Sequence, residues 1–242
     1  MKTFKIISLY SILLFIPLIM GIVSCSKDWL DPKPLSIFTP ENAFIDARGM
    51  YGALTACEKA MREEFYGGIA RINLEYCFSE ETVIGITDRP GPPQNMNIQV
   101  NPISSQNSDN TTMEWYWTQA FMVIKYANVV ISRIDQTTFT NEAERNAVLG
   151  SAYFHRAYQY YRLTHQFGDV PFIGREVTEP KLDFYSTERE VILRKMKKDM
   201  EFAATWCTDN VDRGRVTKGA CAHLLTKINL ALGEFDDAIG LT

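Results

Sequence analysis

The sequence predicts an all-α fold, and three observations carry that prediction. Apolar residues recur at three- and four-residue spacing over several long stretches, helix-start and helix-stop residues flank those stretches, and no run alternates at period two over several strands. A chain of 242 residues with 46% hydrophobic content has enough apolar material for a sizeable core.

The first helix is expected from Thr39-Pro40-Glu41, where a capping hydroxyl precedes a first-turn proline, and its apolar face repeats at Phe44, Ala47, Tyr51 and Leu54. Gly49 and Gly52 weaken it by about 1 kcal/mol each relative to alanine, so packing must stabilise it. From Ile86 to Thr112 the periodicity gives way to Pro90, Gly91, Pro92, Pro93 and many Asn, Gln and Ser residues, which marks a long loop. Structureless insertions of that length are usually functional or disordered. A long helix follows on the stripe Met113, Trp117, Ala120, Phe121, Ile124, Ala127, Ile131 and Ile134. Asn128 falls on that stripe and is expected to hydrogen-bond neighbouring backbone, since an unpaired buried amide costs about 1–3 kcal/mol.

Asn141 with Glu144 forms a capping arrangement for the next helix, which runs through Ala147, Ser151, Phe154, Ala157, Tyr158 and Tyr161 and is stopped by Gly168 and Pro171. A capping box at Thr187-Glu188-Arg189-Glu190 is expected to open a helix through Leu193, Met196, Met200 and Ala203. A further helix spans Lys218 to Leu232 and ends at Gly233.

The N-terminus reads as a targeting segment. Lys2 and Lys5 precede an almost wholly apolar run from Ile6 to Met20, and Ile22-Val23-Ser24 leads into Cys25. Pro17, Gly21 and the polar stretch from Ser24 to Asp28 cut the run short of the roughly 20 apolar residues a membrane span needs. A small residue before cysteine is the pattern of a bacterial lipoprotein box, so residues 1–24 are expected to be a signal peptide and Cys25 the lipidated residue. Acyl chains contribute about 0.8 kcal/mol per buried methylene, enough for lasting attachment to a bilayer surface. Residues 25–38, with Asp31-Pro32-Lys33-Pro34, read as an extended tether.

Composition excludes several functions. A net charge of −4 with both signs scattered gives no basic field for a phosphate backbone, so nucleic acid is not expected as a partner. No Cys-x-x-Cys or Cys/His cluster suggests a metal, and no nucleophile elbow, phosphate loop or dinucleotide fingerprint suggests a cofactor or a catalyst. His155, His165 and His223 read as packed or solvated, and adjacent Glu80-Glu81 rarely face one another across a cleft as glycoside hydrolysis requires. Cys57, Cys77, Cys207 and Cys221 allow three pairings, and three of them lie in helix-like patterns where a buried free thiol is the commoner state.

Two resemblances refine this reading. Ala220 to Leu225 with Ala231-Leu232-Gly233-Glu234-Phe235 and Asp236-Asp237-Ala238-Ile239 resembles a tetratricopeptide unit, in which small residues let two helices nest. Other segments together resemble the RagB/SusD family of surface lipoproteins. They are Cys25 followed by Trp29-Leu30-Asp31-Pro32-Lys33-Pro34, Ala127-Asn128, the run Gly150-Ser151-Ala152-Tyr153-Phe154-His155-Arg156-Ala157, Tyr161-Arg162-Leu163, Phe167-Gly168-Asp169-Val170-Pro171, Thr187 with Glu190, and Gly214 to Ala220. That resemblance implies a helical superhelix with tetratricopeptide-like pairs from about residue 141 and long loops, residues 39–242 forming the N-terminal part of a SusD-like fold. It also implies that the chain, ending at Leu241-Thr242 inside what would be the second helix of a repeat, is truncated there.

The same resemblance implies a non-enzymatic, cell-surface, outer-membrane protein that captures oligosaccharide or polysaccharide fragments and delivers them to a SusC-like TonB-dependent barrel transporter. Carbohydrate binding needs aromatic faces for sugar rings and forked polar groups for hydroxyls. Arg89, Asn95, Asn97 and Asn107 in the loop supply the polar half. The loop has no Trp, Tyr or Phe, so stacking is expected from Tyr66, from Trp115, which lies off the apolar stripe of its helix, or from the part beyond this chain. Trp117 and the aromatic run Tyr153 to Tyr161 read as packing. The competing reading is a tetratricopeptide-like scaffold that grips a protein partner and has no glycan site of its own.

Overall fold

The computed structural model describes residues 43–65, 110–212 and 214–241. Among the described residues there are six helices: α1 (Ala47–Phe65), α2 (Asn110–Arg133), α3 (Glu142–Phe167), α4 (Arg189–Trp206), α5 (Lys218–Leu232) and α6 (Phe235–Ile239). A single 3-10 turn, Ile134–Gln136, follows α2. The only strands among the described residues are β1 (Val170–Pro171) and β2 (Ser186–Thr187), paired antiparallel with Val170 opposite Thr187.

Helices consecutive in the chain pack against one another: α1 on α2, α2 on α3, α3 on α4, α4 on α5 and α5 on α6. The Phe44 carbonyl accepts from Thr137 Oγ1 at 2.9 Å and the Ile45 carbonyl from Thr138 N–H at 3.2 Å, which fixes the start of α1 beside the end of α2. The expected helix start at Thr39-Pro40-Glu41 lies outside the described residues. The helix that is described begins later, after a bend at Phe44-Ile45, with Asp46 Oδ1 accepting from Gly49 N–H at 3.1 Å as an N-cap would. The Ala43 carbonyl lies where a Cβ on residue 49 would stand, so glycine there permits the bend.

α3 is the central element. Asn141 Oδ1 accepts from Glu144 N–H at 2.8 Å and Glu144 Oε2 accepts from Thr140 N–H at 2.8 Å, so the capping arrangement read from sequence forms. Its buried face differs from the expected one. Of the stripe Ala147, Ser151, Phe154, Ala157, Tyr158 and Tyr161 only Ala157 is fully buried, and Val148, Ala152, His155, Arg156, Tyr160 and Leu163 form the interior instead. Neighbours on several sides replace the single apolar stripe of a surface helix, so amphipathic periodicity is a poor guide there. Gly150 permits the close approach of α4: a Cβ at that position would stand 3.2 Å from the Ala203 Cα and 3.0 Å from Cys207 Sγ.

α4 buries Leu193, Met196, Met200 and Ala203 as expected, but the capping box at Thr187 does not form. Thr187 is engaged in β2, and Asp169 Oδ1 instead accepts from the first helical N–H, that of Arg189, at 2.9 Å. α5 starts on Thr217, whose hydroxyl accepts from Ala220 N–H at 3.1 Å, and ends on Gly233 at φ 76°, where Glu234 N–H reaches the Asn229 carbonyl at 2.9 Å. α6 folds back and inserts Ala238, 3% exposed, against α5, which is the nested pair expected from the small residues. Leu230, Phe235 and Ile239 on this pair are each at least half exposed.

Candidate functional site

Of the residues proposed for ligand contact, Arg89, Asn95, Asn97 and Asn107 lie outside the described residues, as do Cys25 and the tether. The loop expected from Ile86 to Thr112 ends sooner than expected, since α2 already begins at Asn110. Trp115 is placed in the second turn of that helix, at the end of the bundle where α1 finishes at Phe65 and α2 begins.

Trp115 is partly buried and meets Tyr116 edge-on, with ring centroids 5.2 Å apart. Trp117 is also partly buried and packs against the main core, beside Phe121 and Phe167 at 4.9 and 5.3 Å. Around Trp115 an aromatic and ionic cluster is assembled from three helices. The Arg162 guanidinium of α3 lies over the rings of Tyr116 and Tyr158, 5.2 and 5.6 Å from their centroids, and pairs with Glu64 of α1 at 2.5 Å. Both charged side chains are largely withdrawn from water, at 12% and 4% exposure, where removing one partner strands the other. Arg162 stands in the Tyr161-Arg162-Leu163 motif, but nothing near it or near Glu64 in the sequence identifies the other as its partner. Ninety-eight residues of sequence separation hide the pair, and only an acid inside an otherwise apolar helix face hinted at it.

The other family motifs act as internal fasteners. Arg156 donates Nε and Nη2 to Asp199 Oδ2, at 3.0 and 2.6 Å, and Nη1 to Asn128 Oδ1 and the Gly174 carbonyl, at 3.2 and 2.9 Å. Asn128 Nδ2 in turn donates to the Ile173 carbonyl at 2.8 Å, the backbone partner anticipated for a buried amide. Four segments distant in sequence therefore meet on one guanidinium. Burial pushes the Asp199 carboxyl above its ordinary range, and the Arg156 charge beside it opposes that shift. The Tyr160 hydroxyl accepts from Ile173 N–H at 2.6 Å, and burial pushes it up to about 12. Tyr153 packs edge-on against Phe202 and Phe154 stacks with Tyr158, so the aromatic run of α3 serves packing.

A cavity of about 650 Å³ opens at the opposite end of α1 and α3, lined by Arg48, Tyr51 and Glu58 of α1, Glu144 and Ser151 of α3, and the α4–α5 connection. Arg215 stacks over Tyr51 at 5.4 Å and reaches Glu58 Oε1 at 3.4 Å. His155 is 3% exposed, and neither ring nitrogen has a hydrogen-bond partner among the described residues. Burial first, and the Arg215 charge second, lower its pKa to about 4, so it is held as a neutral ring and is packed, as sequence suggested. His165 takes a local bond to the Tyr161 carbonyl and His223 is exposed. Among the described residues no group of His, Cys, Asp and Glu is arranged to hold a metal, and no helix is long and apolar enough to cross a membrane. Cys57, Cys207 and Cys221 are free buried thiols.

Comparison with known proteins agrees with this geometry. A family described as "Starch-binding associating with outer membrane" matches residues 56–230. The SusD-like protein P2 of Formosa agariphila is 28% identical over 228 residues, covering 93% of this chain and 43% of that protein. The SusD-like protein P25 of the same organism is 20% identical, over 91% of this chain and 42% of its own length. Among solved structures, a laminarin-binding SusD-like protein superposes with a TM-score of 0.68 at 20% identity, covering 82% of this chain and 43% of that one. A SusD superfamily protein from Bacteroides vulgatus gives 0.67 at 18% identity, covering 81% and 42%. The chain thus spans somewhat over two fifths of the length of these relatives. With more than half of its residues matched by that family and its helices arranged as in those structures, the chain belongs to the SusD-like family.

Proposed function

We propose that this chain is the N-terminal part of a glycan-capturing lipoprotein, fastened to the outer membrane through lipid on Cys25 and facing the cell surface. In this reading Trp115 offers an aromatic face to a sugar ring while Arg89, Asn95, Asn97 and Asn107 bind neighbouring hydroxyls. The captured oligosaccharide passes to a SusC-like TonB-dependent barrel transporter, and no bond is made or broken in the sugar. The observation that carries the reading is the family match over residues 56–230, supported by a shared helical framework with a protein that binds laminarin.

Affinity electrophoresis of the chain through gels cast with laminarin, starch or other polysaccharides tests the ligand. Retardation by at least one polysaccharide, relieved by excess oligosaccharide, supports capture. Co-purification with a barrel transporter encoded beside it, together with no retardation by any polysaccharide, would instead favour the scaffold reading. Replacing Cys25 with alanine tests the anchor, with release from the membrane fraction as the expected result.

A further inference from the structure

We propose that Cys207 and Cys221 are a disulfide-forming pair that closes the α4–α5 connection. Cys207 follows the last residue of α4 and Cys221 sits in the first turn of α5. The intervening chain already returns on itself, because the Thr208 carbonyl accepts from Lys218 N–H at 3.3 Å and Asp209 Oδ1 accepts from Gly219 N–H at 3.1 Å. Both cysteines are buried in one cluster, where the Cys207 thiol points to the Ala147 carbonyl at 3.9 Å and each sulfur shifts the other's titration. Cys57 lies in a different cluster, with its thiol directed to the Val123 carbonyl at 3.8 Å.

The geometry also assigns the order of events. Cys207 lines the 650 Å³ cavity and Cys221 does not, so an incoming oxidant meets Cys207 first. The neighbouring Cys221 lowers the Cys207 pKa while Cys207 and burial raise that of Cys221, which makes Cys207 the attacking group. With a small-molecule or protein disulfide as oxidant, the Cys207 thiolate attacks one of its sulfurs and expels the other as a thiol, leaving a mixed disulfide on Cys207. The deprotonated Cys221 then attacks the Cys207 sulfur and expels the second thiol. Two protein thiols lose two protons and two electrons, and the oxidant takes up both as it becomes two thiols. The product fastens the cavity wall that carries Asp212 and Arg215.

The test is to incubate the folded chain with oxidised glutathione, block remaining thiols with an alkylating agent under denaturing conditions, and map peptides without reduction. The expected map shows a Cys207–Cys221 cross-link two mass units below the dithiol, with Cys57 alkylated. Reduction should lower the melting temperature of the cross-linked protein by about 6–12 °C, given a closed loop of about fifteen residues. A double Cys207→Ala/Cys221→Ala variant should melt at the same temperature with and without reductant. Alkylation or glutathione addition at both positions, or a cross-link joining either one to Cys57 or Cys77, overturns the proposal.

Discussion

Replacing Arg156 with methionine should be among the most damaging single changes in the bundle. The substitution keeps an unbranched chain of similar reach but removes every donor that satisfies Asp199, Asn128 Oδ1 and the Gly174 carbonyl. Arg156 and Asp199 side chains are only 7% and 14% exposed, so the carboxylate left behind cannot be rescued by bulk water. Breaking such a pair by removing one partner costs about 3–5 kcal/mol. In a chain of this size that corresponds to a fall of about 6–20 °C in melting temperature. Removing both charges, as Arg156→Met with Asp199→Leu, should recover most of the loss, because a well-packed apolar pair avoids the desolvation penalty. Urea titration followed by near-ultraviolet circular dichroism measures both variants. A single variant within 1 kcal/mol of the wild type, or a double variant no better than the single one, would refute the idea that this guanidinium fastens four segments.

His155 gives a pH dependence. Its folded pKa of about 4 lies below the unfolded value of 6.5, so between those values the unfolded chain binds a proton that the folded chain refuses, and stability falls as pH is lowered. Relative to His155→Leu, the wild type should lose about 2.5 kcal/mol between pH 7 and pH 4.5 in parallel urea titrations. Parallel curves for the two proteins would contradict this. Trp117→Ala should cost about 3–5 kcal/mol as a core truncation, read by the same titration. Gly233→Ala should lower stability by about 1 kcal/mol by forcing a side chain into the left-handed cap at φ 76°, with no change in helix content by far-ultraviolet circular dichroism.

Local chemistry was the readable part of this fold. Asn141, Thr217 and Gly233 act within four residues of themselves, so their roles follow from the adjoining sequence. The buried side of α4 was readable because that helix turns one apolar stripe inward. α3 defeated the same reasoning because it is packed on several sides, and Thr187 defeated it because strand pairing with Val170 left the cap to Asp169. Asn128 was readable as a buried amide in need of partners, but Arg156 stood out only as a motif member and Asp199 not at all, since nothing local tells that residues 28 and 43 positions away will share one guanidinium. Of the residues proposed for glycan contact, only Trp115 lies among the described residues. Helical phase set Trp115 off the stripe that carries Trp117, and the two pack against different clusters, whereas the Arg162–Glu64 pair beside Trp115 joins two helices that sequence could not bring together.

Glycan-array binding of the purified chain beside its Trp115→Ala variant tests the central reading most directly. The account predicts that the wild type binds a defined set of oligosaccharides and that the variant, melting within a few degrees of it, loses at least tenfold in affinity for that set. Equal binding by the two proteins would remove Trp115 from the site, and a folded wild type that binds no glycan on the array would contradict capture by this chain.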